Sequence, residues 1–223
     1  VAISMENLAA SYLRVEDFSR AIELLQRSLE LKKKIWGEKH LATAKTLFSL
    51  GEVYKRLQNY EIADQILTRC LKIREKMLHQ DHLDISKTLA NLSNVKKSMG
   101  DNTAAISLLS RAVLIQEAYF NDKHKALALP LNNLGVLYRE ERQFPTAMKF
   151  LHQAEAIIAV NQNASLFQAS NFIALGNTYS LSEQKEKAKS YFRAAIRIRE
   201  QILGFDHELV KVLQQRLLKL ENP

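Results

Sequence analysis

The chain has 223 residues, 47% of them hydrophobic, with six Gly, three Pro and a single Cys, a composition that supports a continuous core and excludes intrinsic disorder, an internal disulfide and a multi-cysteine zinc site. No apolar run approaches the roughly 18–20 residues of a bilayer-spanning helix, and Val1-Ala-Ile-Ser-Met-Glu lacks a signal peptide's basic start, so we expect a soluble, cytoplasmic domain, cut from a longer protein because it begins inside a helical pattern. Thirty-two Lys and Arg against 24 Asp and Glu give a net charge of +8, which favours an acidic peptide, nucleic acid or an anionic surface as partner.

In chain order, Leu8, Tyr12 and Val15 predict one amphipathic helix, and Phe18, Ala21, Ile22, Leu25 and Leu29 a second. The pattern then recurs. Leu8, Leu50, Leu92 and Leu134 are spaced by 42 residues, and Leu175 follows after 41. Tyr12, Tyr54, Tyr138 and Tyr179 share this register, as do Ala21, Ala63, Ala105, Ala147 and Ala188. Small residues recur at two further places, Ala9, Gly51, Ser93, Gly135 and Gly176 at one, and Ser28, Cys70, Ala112, Ala154 and Ala195 at the other, where two helices must approach closely. The breaks at Val15-Glu-Asp, Gln58-Asn and Gln143-Phe-Pro145 fit tight turns, with Asp17, Asn59 and Asp101 suited to N-capping and Pro145 to a first helical position. Pro130 falls in the second turn of a helix, so a late start or a kink is expected there. The result is an all-α chain of five helical hairpins, at about 2–40, 41–82, 83–124, 125–165 and 166–206, and a further helix at 207–221, all in one domain, 1–223.

These residues resemble the tetratricopeptide pattern of Leu-Gly, Tyr, Ala, bulky apolar and Ala on two helices. The loops Gly37-Glu-Lys-His40, His79-Gln-Asp-His82, Asn121-Asp-Lys-His124 and Gly204-Phe-Asp-His207 fall in register, and with the 42-residue unit they look like the kinesin-light-chain and nephrocystin type of repeat. Several positions depart from that pattern. Leu41, Leu83, Lys125 or Glu208 stands where Pro usually follows the loop His, Lys96 replaces a Tyr, and one loop reads Asn161-Gln-Asn-Ala-Ser165. There is no heptad stalk of the kind that joins a light chain to its heavy chain.

The resemblance implies a right-handed α-α superhelix with a concave groove, because each hairpin buries only part of its apolar stripe and must stack on its neighbours. It implies that the last helix caps the core, with Lys211, Gln214, Gln215 and Lys219 outward, and that the first helix of each hairpin lines the groove. Carried over residue by residue, the groove comprises Asn7, Arg14, Lys45, Ser49, Glu52, Lys55, Arg56, Lys87, Asn91, Asn94, Lys97, Asn132, Asn133, Arg139 and Asn177. Its acidic members are Glu6, Glu52 and Glu140. Cations outnumber carboxylates, and Asn7, Asn91 and Asn133 share one register place; an Asn amide can donate to and accept from an extended peptide backbone at once. A protein or peptide partner, specifically an acidic linear segment, is the favoured ligand.

Other readings fare less well. All six Gly have structural places, leaving no phosphate-cradling loop. His40, His82, His124 and His207 recur once per repeat, about 10–12 Å or more apart, too far to share a metal. Cys70 replaces Ser or Ala at a packing position and reads as a buried, inert thiol; Trp36, in register with Leu78, Phe120 and Leu203, reads as core. No catalytic constellation, cofactor or metal is expected. RNA is the main alternative because of the charge, but aromatic stacking platforms are missing from the groove face. Self-association through the groove or the first hairpin is a third possibility.

Overall fold

A computed structural model describes residues 1–120, 124–160 and 165–221; the loop readings at 121–123 and 161–164 lie outside them. The chain forms two compact units, residues 1–119 and 120–223. In the first, three hairpins follow one another: α1 (Ala2–Arg14) with α2 (Phe18–Trp36), α3 (Leu41–Arg56) with α4 (Tyr60–Met77), and α5 (Leu83–Ser98) with α6 (Asn102–Tyr119). The second unit holds α7 (Ala128–Glu140) with α8 (Phe144–Val160), α9 (Leu166–Leu181) with α10 (Lys185–Leu203), and the lone α11 (Glu208–Glu221). The all-α class and the hairpin order are those read from the sequence.

Every hairpin turns by the same backbone device. The second residue after the first helix takes the left-handed conformation, and it recurs in register as Glu16, Gln58, Gly100, Arg142 and Glu183, with φ between 58° and 84°. The next residue sends its N–H five residues back, as from Asn59 to Tyr54 O (2.9 Å) and from Asp101 to Lys96 O (2.9 Å). This is a Schellman closure. Asp17, Asn59 and Asp101 then cap the second helix through the N–H groups of Arg20, Ile62 and Ala104.

The loop histidines open the first helices. Nδ1 of His40, His82, His124 and His207 accepts the N–H two residues on, at 3.0–3.2 Å. A neutral imidazole thus does the work of an N-cap carbonyl or hydroxyl oxygen. Ser165 takes over the role in the loop that departs from the pattern, accepting from Gln168 N–H at 3.1 Å. Trp36 and Phe120 stack on His40 and His124, with ring centroids 5.7 and 4.0 Å apart. Trp36 is therefore not core as expected: it stays 46% exposed as the cover of its histidine.

Inside each hairpin the small register residues let the helices touch. A Cβ built on Gly135 would lie 2.5 Å from Leu151 Cγ and 3.0 Å from the Ala147 carbonyl oxygen. Ser93, at the same place, is accommodated because its hydroxyl donates to Ala105 O at 2.8 Å. Cys70 is buried, donates to Ala44 O at 3.2 Å, and burial raises its thiol pKa, in keeping with a packing role. Lys96, which stands in the tyrosine register, reaches Asp64 on α4 at 2.9 Å.

Three expectations shift, at Leu8, Pro145 and α11, while the one at Pro130 holds. Leu8 shares a register with Leu50, Leu92, Leu134 and Leu175, all at most 2% exposed, yet is itself 48% exposed, because among the described residues no helix lies on its side of α1 as α2 lies on α3. Pro145 is the second helical residue, not the first, still within the turn whose N–H groups have no helical partner. Pro130 produces the late start: residues Lys125–Leu127 form a 3-10 turn, and α7 begins only at Ala128. On α11, Val210 and Leu213 are buried towards α10 as a cap requires, but the other side is not simply polar. Leu209, Val212 and Leu218 are exposed among Lys211, Gln215 and Lys219, while Gln214 turns to Glu200 at 3.0 Å.

Candidate peptide-binding faces

In the first unit the exposed face of α1, α3 and α5 carries the residues carried over from the repeat pattern. Asn7, Arg14, Lys45, Arg56, Lys87 and Asn94 are exposed, while Ser49, Glu52, Lys55, Asn91 and Lys97 are half-buried. Among the described residues, Arg14 and Lys45 have no carboxylate within 4 Å. Lys87 has only Asp84 at 3.7 Å, and Arg56 reaches Glu16 at 3.8 Å and Leu13 O at 3.2 Å. Between α3 and α5, Lys55 donates to Asn91 Oδ1, and Asn91 Nδ2 donates to Lys87 O at 3.2 Å. The Asn91 amide is thus already held in place on both sides. Burial pushes the Glu52 carboxyl above its ordinary pKa despite Lys55, Arg74 and Arg56 nearby, and burial lowers the pKa of Lys55. This stretch of the face is drier than its neighbours.

Two residues assigned to the groove belong elsewhere. Glu6 turns inward and accepts from Lys32 Nζ, Thr46 Oγ1 and Ser28 Oγ; Lys32, only 3% exposed, also donates to Thr46 Oγ1 at 2.9 Å. Asn132 is a correction of the same kind: 7% exposed, it accepts from Asn171 Nδ2 at 3.1 Å, which also donates to Leu151 O. Both lie in one register with Phe48, over whose ring the Arg74 guanidinium sits at 4.7 Å while donating to Thr88 Oγ1 at 2.7 Å. This register place faces the next hairpin, not the groove.

In the second unit, Asn133 is half-buried on α7 with no side-chain partner among the described residues. Arg139, Asn177, Arg216 and Lys219 line a recess of about 450 Å³. Asn177 accepts from Arg216 Nη1 at 2.8 Å. Arg216 and Lys219 were missed as site residues because α11 was read only as a cap. The signal was present: counted from the loop histidine, Arg216 falls where Ser49, Asn91 and Asn133 stand, and Lys219 where Glu52 stands.

Among the described residues no three His, Cys, Asp or Glu side chains converge as a metal site would require, and no helix is long and apolar enough to cross a membrane.

A tetratricopeptide repeat family model matches residues 1–76 and 84–159, and a second one matches 173–208. Among solved structures, a putative kinesin light chain of Podosopora anserina with nearly identical TPR-like repeats is 20% identical over 90% of this chain and 95% of its own, with a TM-score of 0.78. BtubC (BKLC) from P. vanneervenii is 20% identical over 92% of this chain and 82% of its own, with a TM-score of 0.81. YrrB, described as a TPR protein with an unusual peptide-binding site, is 20% identical over 96% of this chain and 92% of its own, at 0.64. No curated protein sequence matches the chain.

Proposed function

The chain belongs to the tetratricopeptide repeat family, and from that premise we propose that it is a protein-interaction scaffold, not an enzyme, whose exposed face on α1, α3 and α5 holds an extended acidic segment of a partner. The observation that carries this reading is the row of cations on one face: among the described residues, Arg14 and Lys45 have no carboxylate within 4 Å, and Lys87 has only Asp84 at 3.7 Å. Surface cations on a folded chain ordinarily find carboxylates or scatter. Here they share a face with Asn91, whose amide Lys55 and the Lys87 carbonyl hold in one orientation. Pre-orientation lowers the ordering cost of gripping a peptide. Charge complementarity then sets the on-rate and the choice of partner more than the depth of binding.

The test is fluorescence anisotropy of the whole chain with a labelled octapeptide rich in Asp and Glu, beside its Asn and Gln counterpart, over a salt series. Lys87→Glu combined with Asn91→Ala is expected to weaken the acidic peptide by about tenfold or more, the loss of one charge-assisted contact. Lys72→Glu, on the exposed side of α4, leaves it unchanged. Equal affinity for both octapeptides, or no effect of the double substitution, would overturn the reading.

A further inference from the structure

We propose that the recess between α7, α9 and α11 binds a single dianionic phosphoryl group, carried on a phosphorylated side chain of a partner segment. The proposal rests on the reading of the first-helix faces as peptide-binding and deepens it. Arg139 comes from α7, Asn177 from α9, and Arg216 and Lys219 from α11, and all four line one space of about 450 Å³. Leu181, Phe192 and Leu220 supply its apolar walls.

The charges in it are poorly matched by the protein itself. Arg139 has one carboxylate near it, Glu140 at 3.8 Å. Arg216 and Lys219 have none within 4 Å among the described residues, where Arg216 instead donates to the neutral Asn177 Oδ1 at 2.8 Å. Burial lowers the Arg139 pKa, Glu140 opposes that shift, and Arg216 adds to it, so the two guanidinium groups are near enough to repel. Three cations against one carboxylate leave a local excess of +2 in the absence of a ligand.

A dianion removes that excess. Two carboxylates could do so only from two residues, and in an extended segment neighbours point to opposite sides while second neighbours stand about 6–7 Å apart. A phosphomonoester brings close to two charges and three acceptor oxygens to one point. Guanidinium forks match phosphate oxygens in pairs, which an ammonium cannot do. Arg216 is already anchored by Asn177, so its fork is oriented before anything binds. Its register place is the one that α3, α5 and α7 fill with Ser49, Asn91 and Asn133, so α11 is a binding helix as well as a cap.

The test uses the whole chain and three labelled heptapeptides, all alanine except for a central phosphoserine, serine or glutamate, with inorganic phosphate as competitor against chloride at equal ionic strength. Phosphoserine is expected to bind at least about tenfold tighter than the other two, a difference of one or two charge-assisted hydrogen bonds, and phosphate but not chloride displaces it. Arg216→Gln is expected to abolish the preference. Arg216→Lys keeps the charge without the fork and retains only part of it, and Arg27→Gln on α2 retains all of it. Glutamate binding as tightly as phosphoserine, or a preference that survives Arg216→Gln in a chain with unchanged circular dichroism, would overturn the proposal. If the acidic octapeptide still depends on Lys87 and Asn91 while no phosphoserine preference exists, the phosphate site falls and the scaffold reading stands.

Discussion

Removing the Glu6 carboxylate strands the Lys32 ammonium in the core of the first unit. Lys32 is 3% exposed and its side-chain partners are Glu6 and Thr46. In Glu6→Ala one neutral hydroxyl remains for a buried charge, and breaking a buried pair in this way costs about 3–5 kcal/mol. Glu6→Gln keeps an acceptor oxygen but no charge, and is expected to lose about half of that. Glu6→Leu with Lys32→Met removes both charges together. The Thr46 hydroxyl then still has the Ala42 carbonyl at 3.4 Å, so the pair of substitutions should fall within about 1 kcal/mol of wild type or above it. Urea unfolding followed by Trp36 fluorescence reads the first unit alone, since Trp36 is the sole tryptophan and lies one turn beyond Lys32. With a urea dependence of about 1–3 kcal/mol/M, Glu6→Ala should lower the midpoint by roughly 2 M. Additive effects of the Glu6 and Lys32 substitutions would refute the reasoning, because a coupled pair must show a large interaction energy in the cycle.

Two more outcomes follow from the backbone and from the groove. At the left-handed turn position, Gln58→Gly should stabilise by about 0.5–1 kcal/mol and Gly100→Ala should destabilise by about 1 kcal/mol or more; urea midpoints that move the opposite way would refute the strain argument. Burial raises the Glu52 pKa above its ordinary 4.5, so the folded chain takes up that proton more readily than the unfolded chain. Ionised Glu52 therefore withholds stability at pH 7 and returns it as the pH falls through the raised value. Glu52→Gln, a neutral mimic, should be more stable than wild type at pH 7, with the gain vanishing below about 4.5; thermal unfolding at several pH values reads this.

The hairpins were legible because the spacing of Leu, Ala and small residues carries both the helical period and the contact between paired helices. The recurrence of the loop histidines was visible too, but their capping was not, since it depends on Nδ1 reaching the N–H two residues on. The left-handed turn escaped notice because Glu16, Gln58, Arg142 and Glu183 hide what Gly100 alone advertises. Register also placed Glu6 and Asn132 on the groove face. Phe48 and Ala90 occupy that same place, and an aromatic and a methyl there were the sign that it faces inward. Leu8 had every mark of a core residue, but burial depends on what lies opposite, which its own helix does not encode.

The contact that Glu6, Phe48 and Asn132 share makes otherwise similar hairpins selective about who follows them. Lys32 and Arg74 each require a hydroxyl from the next hairpin, and Thr46 and Thr88 supply it. Those two successors are interchangeable in this respect. A successor with the proline found at the equivalent place, Pro130, would bring the cation no side-chain oxygen, whereas Asn171 would bring a carboxamide oxygen instead of a hydroxyl. Duplicating or deleting hairpins by gene rearrangement is thereby restricted: an array cut so that α3 and α4 are lost and α5 follows α2 keeps its hydroxyl, whereas one in which α7 follows α2 has no side-chain oxygen there. At these two joints, chemistry as well as shape distinguishes one successor from another.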